Sequence, residues 1–310
     1  MNSTLLFYSL QERYSDVFAQ NFTVVFLAVI IISINGMFVF IFFRRSVFHS
    51  DPRYILYIHL VINDMLMVCT SVMLFVMAFI WNNVPIPFCV TLLIIASTAY
   101  KNTPLTLAGM SVERYIAICK PLHHHQICTV RRTYILISLI WSVGVLPGLA
   151  ELILLLIIRP LALFTSTLCA SVSVYSTPYH VELTTFMNGL YSTVVWLILL
   201  YTYCQVLVKA KRASTNKSSA KKAQNTILLH GAQLLLCMLS YITPVLDRLY
   251  SPLVPEQQKK IRILNYLLTN IVPRLLTPLI YGVRDKQFYN HIKALILCKL
   301  SVVNVNSIKQ

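Results

Sequence analysis

Charge is scarce in this chain. Asp, Glu, Lys and Arg make up 12% of its 310 residues, against 57% hydrophobic residues. The spacings that mark catalysis are missing too. There is no Gly-rich phosphate loop, no Gly-x-Ser-x-Gly elbow and no His-Glu-x-x-His pair. No carboxylate pair flanks a plausible cleft, so an enzyme is not expected, nor a cofactor. His123, His124 and His125 are consecutive and cannot all point at one ion, so they read as a solvated loop rather than a metal site. No repeat divides the chain into two halves with matching broken helices, which argues against a transporter. A formal charge of +16 would suit nucleic acid, but no module that reads DNA or RNA accompanies it. The first 21 residues lack a charged segment followed by an apolar core and a small-residue cleavage site. They are therefore expected not to be a cleaved signal peptide.

What is present is hydrophobic length. Seven apolar stretches, at 22–43, 54–80, 88–118, 133–158, 180–208, 223–250 and 261–281, are each long enough to cross a bilayer. A helical span needs about 20 residues, because about 1.5 Å of rise per residue must cover about 30 Å of hydrocarbon. Barrel strands need only about 9–11 residues, so these lengths predict helices. The fold class is all-α, a bundle of seven transmembrane helices. Prolines 104, 147, 244, 273 and 278 fall in different helices and suit kinks about which helices pivot.

Basic residues give the orientation. Arg44, Arg45 and Arg53 follow the first span, and Lys120, Arg131 and Arg132 follow the third. Six more lie within 209–222, and the tail adds Arg284, Lys286, Lys293, Lys299 and Lys309. The opposite loops hold Arg13, Arg159 and a group of four, Arg248, Lys259, Lys260 and Arg262. The positive-inside rule then puts residues 1–21 outside and 284–310 in the cytoplasm, with anionic membrane lipid as partner of the basic face. Asn2 and Asn21 both begin outward-facing glycosylation patterns, and Asn2 is the better placed because Asn21 abuts the membrane. With this topology only Cys89 and Cys169 meet an oxidising compartment, which predicts a disulfide tying the 159–179 loop across the bundle mouth.

Charges inside the membrane cost about 2.5–3.5 kcal/mol each even on insertion scales, and so mark function. Asp64 and Arg274 both fall about 15 Å from the inner surface, by helical rise, and are expected to pair. Lys101 lies midway along the third span. Its candidate partners are Glu151, Glu182 or the carboxylate of a ligand. Glu113-Arg114-Tyr115 closes the inner end of that span, where a carboxylate can hold the neighbouring guanidinium.

Ordered motifs then resemble one family. Met110 to His123 (MSVERYIAICKPLH) resembles the MAYDRYVAICxPLxY signature of odorant receptors, a branch of the rhodopsin-like G-protein-coupled receptors. Pro273 to Tyr281, followed by Arg284-Asp285-Lys286, resembles their PMLNPLIYxxRNK. Lys222-Ala223 with Thr226 and His230 is similar to their KAFSTCxSH, and Thr202-Tyr203 with Val206-Leu207 to their SYxxIL. Leu60 with Asp64, Asn35 and Trp141 match the remaining helices. Glu113 replaces the usual Asp, Thr277 the usual Asn, and Met238 the usual sixth-helix aromatic. The 159–179 loop has one cysteine where mammalian members have three. The pattern looks most like fish-type odorant receptors.

The resemblance implies a receptor domain over 22–283 and a short amphipathic eighth helix from 284. It implies an odorant cavity exposing Ala96, Ser97, Tyr100, Lys101, Met187, Asn188, Tyr191, Met238, Tyr241, Ile242, Leu267 and Asn270. Apolar walls with a few polar anchors suit a small molecule. Activation would swing the sixth helix, bearing His230, outward. Glu113, Arg114, Tyr115, Tyr203, Pro278 and Tyr281 would then frame the opening for a heterotrimeric, Gs-type G protein at the plasma membrane. A non-olfactory receptor for a peptide, lipid or metabolite is the alternative, and a membrane transporter the remote one. An aminergic receptor is disfavoured, because Ala96 stands where an aspartate would meet the amine.

Overall fold

The computed structural model describes residues 3–81, 83–212, 264, 267, 271–276 and 293. Over them the chain is a succession of long helices. These are α1 (Ser3–Arg44), α2 (Pro52–Ile80), α3 (Ile86–Cys119), α5 (Val130–Ile158) and α7 (Pro178–Arg212), with one-turn helices α4 (His124–Ile127) and α6 (Ser171–Val174) in two connections. Each matches an expected span to within a few residues at either end, except that α1 starts far earlier than 22. Residues 3–21 hold neither Pro nor Gly, so nothing in them breaks the helix. The spans expected at 223–250 and 261–281 lie almost wholly outside the described residues, as does the eighth helix but for Lys293.

Helix starts follow local chemistry. Asp51 precedes Pro52, and its Oδ1 accepts the backbone N–H of Arg53 at 3.0 Å. Proline at the first helical position loses no bond there, because that N–H has no intrahelical partner. Within the helices, hydroxyls bond back one turn: Thr98 to Ile94 O, Thr106 to Asn102 O and Thr193 to Gly189 O. In a medium without water this satisfies groups that would otherwise be costly. Pro104, inside α3, has no N–H to give the carbonyl of Tyr100.

Among the described residues, four helical stretches are long and apolar enough to cross a membrane: Phe22–Arg44, Pro52–Ala78, Val130–Ile158 and Pro178–Lys209. α3 has the length, at 34 residues, but its middle carries Ser97, Thr98, Lys101, Asn102 and Thr103, which dilute its apolar character. A span that tolerates this much polarity is shielded by other helices rather than by lipid.

The chain divides into two compact units, one of 1–33, 62–109 and 134–199, the other of 34–61, 110–133 and 200–310. In the first, β1 (Val84–Pro85) pairs antiparallel with β2 (Ser166–Thr167), and Cys89 is bonded to Cys169 with Cα atoms 5.5 Å apart. The predicted disulfide therefore exists. Both cysteines are buried in a cluster with Met77, Val84, Leu155 and Tyr175. Burial pushes the Tyr175 hydroxyl above its ordinary pKa, so it stays protonated as its ring stacks on His180, centroids 5.2 Å apart.

α3 and α5 approach at Gly144 and Gly148. A Cβ on Gly144 would lie 2.1 Å from Asn102 Oδ1 and 3.2 Å from its Cγ, and Asn102 is fully buried. Small residues permit this closeness where apolar burial alone cannot drive association in lipid. Gly144→Val is expected to lower folded protein several-fold by fluorescence-detected size exclusion, while Gly189→Ala, with open space at its Cβ, leaves it unchanged.

Candidate functional site

The first unit gathers an unusual set of polar side chains between α3, α5 and α7. Lys101 is 5% exposed. Its Nζ donates to Asn188 Oδ1 of α7 and lies 5.3 Å from the ring centre of Tyr100 and 5.7 Å from that of Tyr191. A cation between two aromatic faces gains from both ring quadrupoles, an effect that strengthens away from water. The Tyr191 hydroxyl donates to Val143 O of α5, which fixes the ring beside the ammonium. Four residues predicted to line a cavity, Tyr100, Lys101, Asn188 and Tyr191, thus converge on one point.

Of the carboxylates considered for Lys101, Glu151 acts on it electrostatically and accepts a hydrogen bond from Thr184 Oγ1 at 2.7 Å. Its backbone carbonyl lies 3.3 Å from His180 Nε2, and His180 Nδ1 is 2.6 Å from Thr177 Oγ1. This Thr177–His180–Glu151–Thr184 chain was not legible in the sequence, since it joins residues about 30 apart with no motif between them. Glu182 is exposed instead. It lines a groove of about 570 Å³ between α5 and α7, with Ile153, Ile157, Tyr179 and Phe186, that contains none of the expected cavity residues. Ser97 donates to Ile94 O and lies against α5, where a Cβ on Gly148 would come within 3.1 Å of its Oγ. Ala96 and Met187 are half-buried, as is Leu267. Met238, Tyr241, Ile242 and Asn270 lie outside the described residues.

Further along α3, Thr103 Oγ1 donates to Asp64 Oδ1 at 3.0 Å and accepts from Asn63 Nδ2 at 3.0 Å. Asp64 is 1% exposed, and in the second unit Arg274 is 5% exposed.

That second unit contains Glu113-Arg114-Tyr115. Glu113 Oε2 is 3.6 Å from Arg114 Nε, and its Oε1 is 2.9 Å from His124 Nε2. The Tyr115 ring lies 5.9 Å from that of Tyr201, and Thr202 Oγ1 donates to Ser111 Oγ at 3.3 Å, so α3 and α7 are joined here. Tyr203 is 38% exposed. The loop reading of the histidine run fits His123 and His125, which are exposed, but not His124, which is drawn in by Glu113. A carboxylate only 5% exposed needs such a partner, and that need was the available signal. No metal-holding cluster occurs among the described residues. His230, Pro278, Tyr281 and Asn2 lie outside them, and Asn21 falls within α1.

Known proteins resemble this chain in sequence. Residues 34–281 match the family described as 7 transmembrane receptor (rhodopsin family). Odorant receptor 131-2 of Danio rerio is 30% identical over 292 residues, covering 94% of this chain and 90% of the relative. Olfactory receptor 2A25 of Homo sapiens is 26% identical over 274 residues, 84% and 85% of the two chains. Olfactory receptor 2A7 of Mus musculus gives the same figures.

Proposed function

Since the chain belongs to the seven-transmembrane receptors of the rhodopsin family and, among them, to the odorant receptors, we propose how its own residues receive a ligand and couple it to a G protein. It is a multi-pass membrane protein whose partners are a small-molecule ligand and a heterotrimeric G protein. We assign the ligand to the face of α3 and α7 around Lys101, with Tyr100, Asn188 and Tyr191 as its fixed contacts and Ala96, Ser97, Met187, Met238, Tyr241, Ile242, Leu267 and Asn270 completing the wall. The observation that carries this is the buried Lys101 ammonium, donating to a neutral carboxamide between two tyrosine rings. Asn188 supplies an acceptor but no charge. An odorant with a carboxylate or carbonyl can supply a stronger acceptor and displace it, while its hydrocarbon part lies against aromatic and aliphatic walls.

Binding shifts the population toward a state in which Glu113 lets go of Arg114 and the cytoplasmic ends of α3 and α7 open to the G protein, of Gs type. In this reading residues 1–21 are extracellular with a glycan on Asn2, residues 284–310 are cytoplasmic, and the basic inner face meets anionic lipid. A screen of acidic, carbonyl and purely hydrocarbon odorants, with cAMP as readout in transfected cells, tests it. Responses confined to hydrocarbon odorants, or no cAMP response to any, would sink it.

Asp64 and Arg274 we read as partners at mid-membrane depth. Both side chains are buried, and a lone buried charge is costly. On this reading a guanidinium partner leaves the carboxylate no need of a sodium ion. Agonist potency is therefore expected to be equal in sodium and N-methylglucamine buffers. Arg274→Met is expected to lower surface receptor about tenfold or more, as breaking a buried pair does, with partial recovery in Asp64→Asn/Arg274→Met. A sodium-dependent potency counts against the pairing.

A further inference from the structure

One face of α7 carries a ladder of polar side chains. His180, Thr184, Asn188 and Tyr191 follow one another at helical spacing, so they share one face of the helix. Each rung reaches a neighbouring helix. His180 Nε2 lies 3.3 Å from Glu151 O, and Thr184 Oγ1 donates to Glu151 Oε1 at 2.7 Å. Asn188 Oδ1 accepts from Lys101 Nζ, and the Tyr191 hydroxyl donates to Val143 O. A carboxylate from α5 is thus held one turn of α7 away from an ammonium from α3. Four residues of helical rise put those two rungs about 6 Å apart.

Glu151 faces the interior. It shares a face of α5 with Gly144 and Gly148, which lie against Asn102 and Ser97 of α3, and all these residues belong to the first unit. Lys101 and Glu151 attract each other through space, yet the rungs that hold them are a carboxamide and a hydroxyl, both neutral. The His180 ring is engaged by a backbone carbonyl and by Thr177 Oγ1, not by the carboxylate. Glu151 Oε2 accepts no hydrogen bond among the described residues.

We propose that the site takes a zwitterion, a small molecule whose carboxylate meets Lys101 and whose ammonium meets Glu151, with Asn188 and Thr184 setting the distance between the two charges. This rests on the assignment of the ligand to the face around Lys101 and narrows its chemical class. Glu151 and Thr184 become specificity-determining residues.

Selectivity comes from repulsion as much as from attraction. A ligand with a carboxylate alone satisfies Lys101 but brings a second anion toward Glu151. A ligand with an amine alone meets Glu151 and brings a second cation toward Lys101. Only a molecule bearing both, a few bonds apart, leaves each buried charge compensated. Its apolar remainder lies against the rings of Tyr100 and Tyr191.

Four probes on one scaffold test this. Phenylalanine, 3-phenylpropanoate, 2-phenylethylamine and propylbenzene carry both charges, the anion, the cation and neither. In transfected cells held in amino-acid-free buffer, with cAMP normalised to surface receptor, phenylalanine is expected to be about tenfold or more as potent as either singly charged probe. In Glu151→Gln its advantage over 3-phenylpropanoate should vanish, because the acid gains potency and the amino acid loses it. Equal potency of these two probes in wild type, or an undiminished advantage in Glu151→Gln, overturns the proposal. If Glu151→Gln does not reach the surface, Thr184→Val is read in its place, since it keeps both charges but releases the carboxylate from its rung. The advantage should then shrink about threefold or more, and an unchanged one overturns the proposal. A wild type that answers the acid and the amino acid alike leaves the Lys101 assignment standing and removes only the zwitterion. A wild type that answers propylbenzene alone removes both. If no probe raises cAMP, binding of labelled phenylalanine to purified receptor decides. Saturable binding that Lys101→Met and Thr184→Val each weaken keeps the site and condemns the coupling reading, and no saturable binding overturns the proposal.

Discussion

Exchanging Cys89 or Cys169 for serine is expected to remove most of the receptor from the cell surface, by about tenfold or more in flow cytometry of an epitope-tagged chain. The bond spans 80 residues of sequence and joins the head of α3 to the loop between α5 and α7. Closing a loop that long lowers the entropy of the unfolded chain by about 4.5 kcal/mol equivalent at 25 °C in the chain-entropy view, an upper bound here because lipid already confines the spans. The local cost comes on top. Cys169 is 2% exposed and Cys89 fully buried, so each serine would put a hydroxyl into a cluster of apolar side chains. The paired turn of Val84–Pro85 with Ser166–Thr167 would also lose the anchor that holds it in register. Cys69→Ser is the control, since Cys69 is a free thiol on an exposed face. Equal surface levels for Cys69→Ser and Cys169→Ser would show that the bond is dispensable.

That bond is legible in the sequence, because the expected topology puts only Cys89 and Cys169 in an oxidising compartment. The helices were legible for a similar reason: hydrophobic length is a property of the sequence alone, and lipid permits few other structures. The interior was only partly legible. Lys101 stood out as a charge at mid-membrane depth, but depth fixes neither rotation nor partner. Its bond to Asn188 depends on how α3 and α7 are turned, which is set by packing at Gly144 and Gly148 and by the Tyr191 bond to Val143. The early start of α1 was missed because apolar length marks a membrane span and says nothing about where a helix without breakers begins. His124 was missed because three adjacent histidines suggest either a metal or a solvated loop. Neither pattern contains a single ring drawn under a helix end by a buried carboxylate.

Lys101→Met is expected to weaken the response to acidic odorants sharply while surface receptor and responses to hydrocarbon odorants persist. Methionine nearly matches the lysine stem in length and removes only the charge and its donors. An ionised hydrogen bond contributes about 1.5–3 kcal/mol, so agonist potency for a carboxylate should fall about tenfold to a hundredfold. The neighbours sharpen the test. Asn188→Ala removes the resident acceptor without touching the charge, so acidic odorants, no longer displacing an amide, should keep or gain potency. Tyr191→Phe frees the ring from Val143 but keeps its face toward the ammonium, and should change potency little. The competing outcome is structural. If Lys101 serves mainly to neutralise Glu151 within the bundle, Lys101→Met leaves that carboxylate uncompensated in the membrane and surface receptor collapses. Glu151→Gln in the same chain should then restore it. An unchanged dose–response curve for acidic odorants at normal surface level would exclude Lys101 from both roles. The lysine would then be only a buried cation held by an amide and two rings.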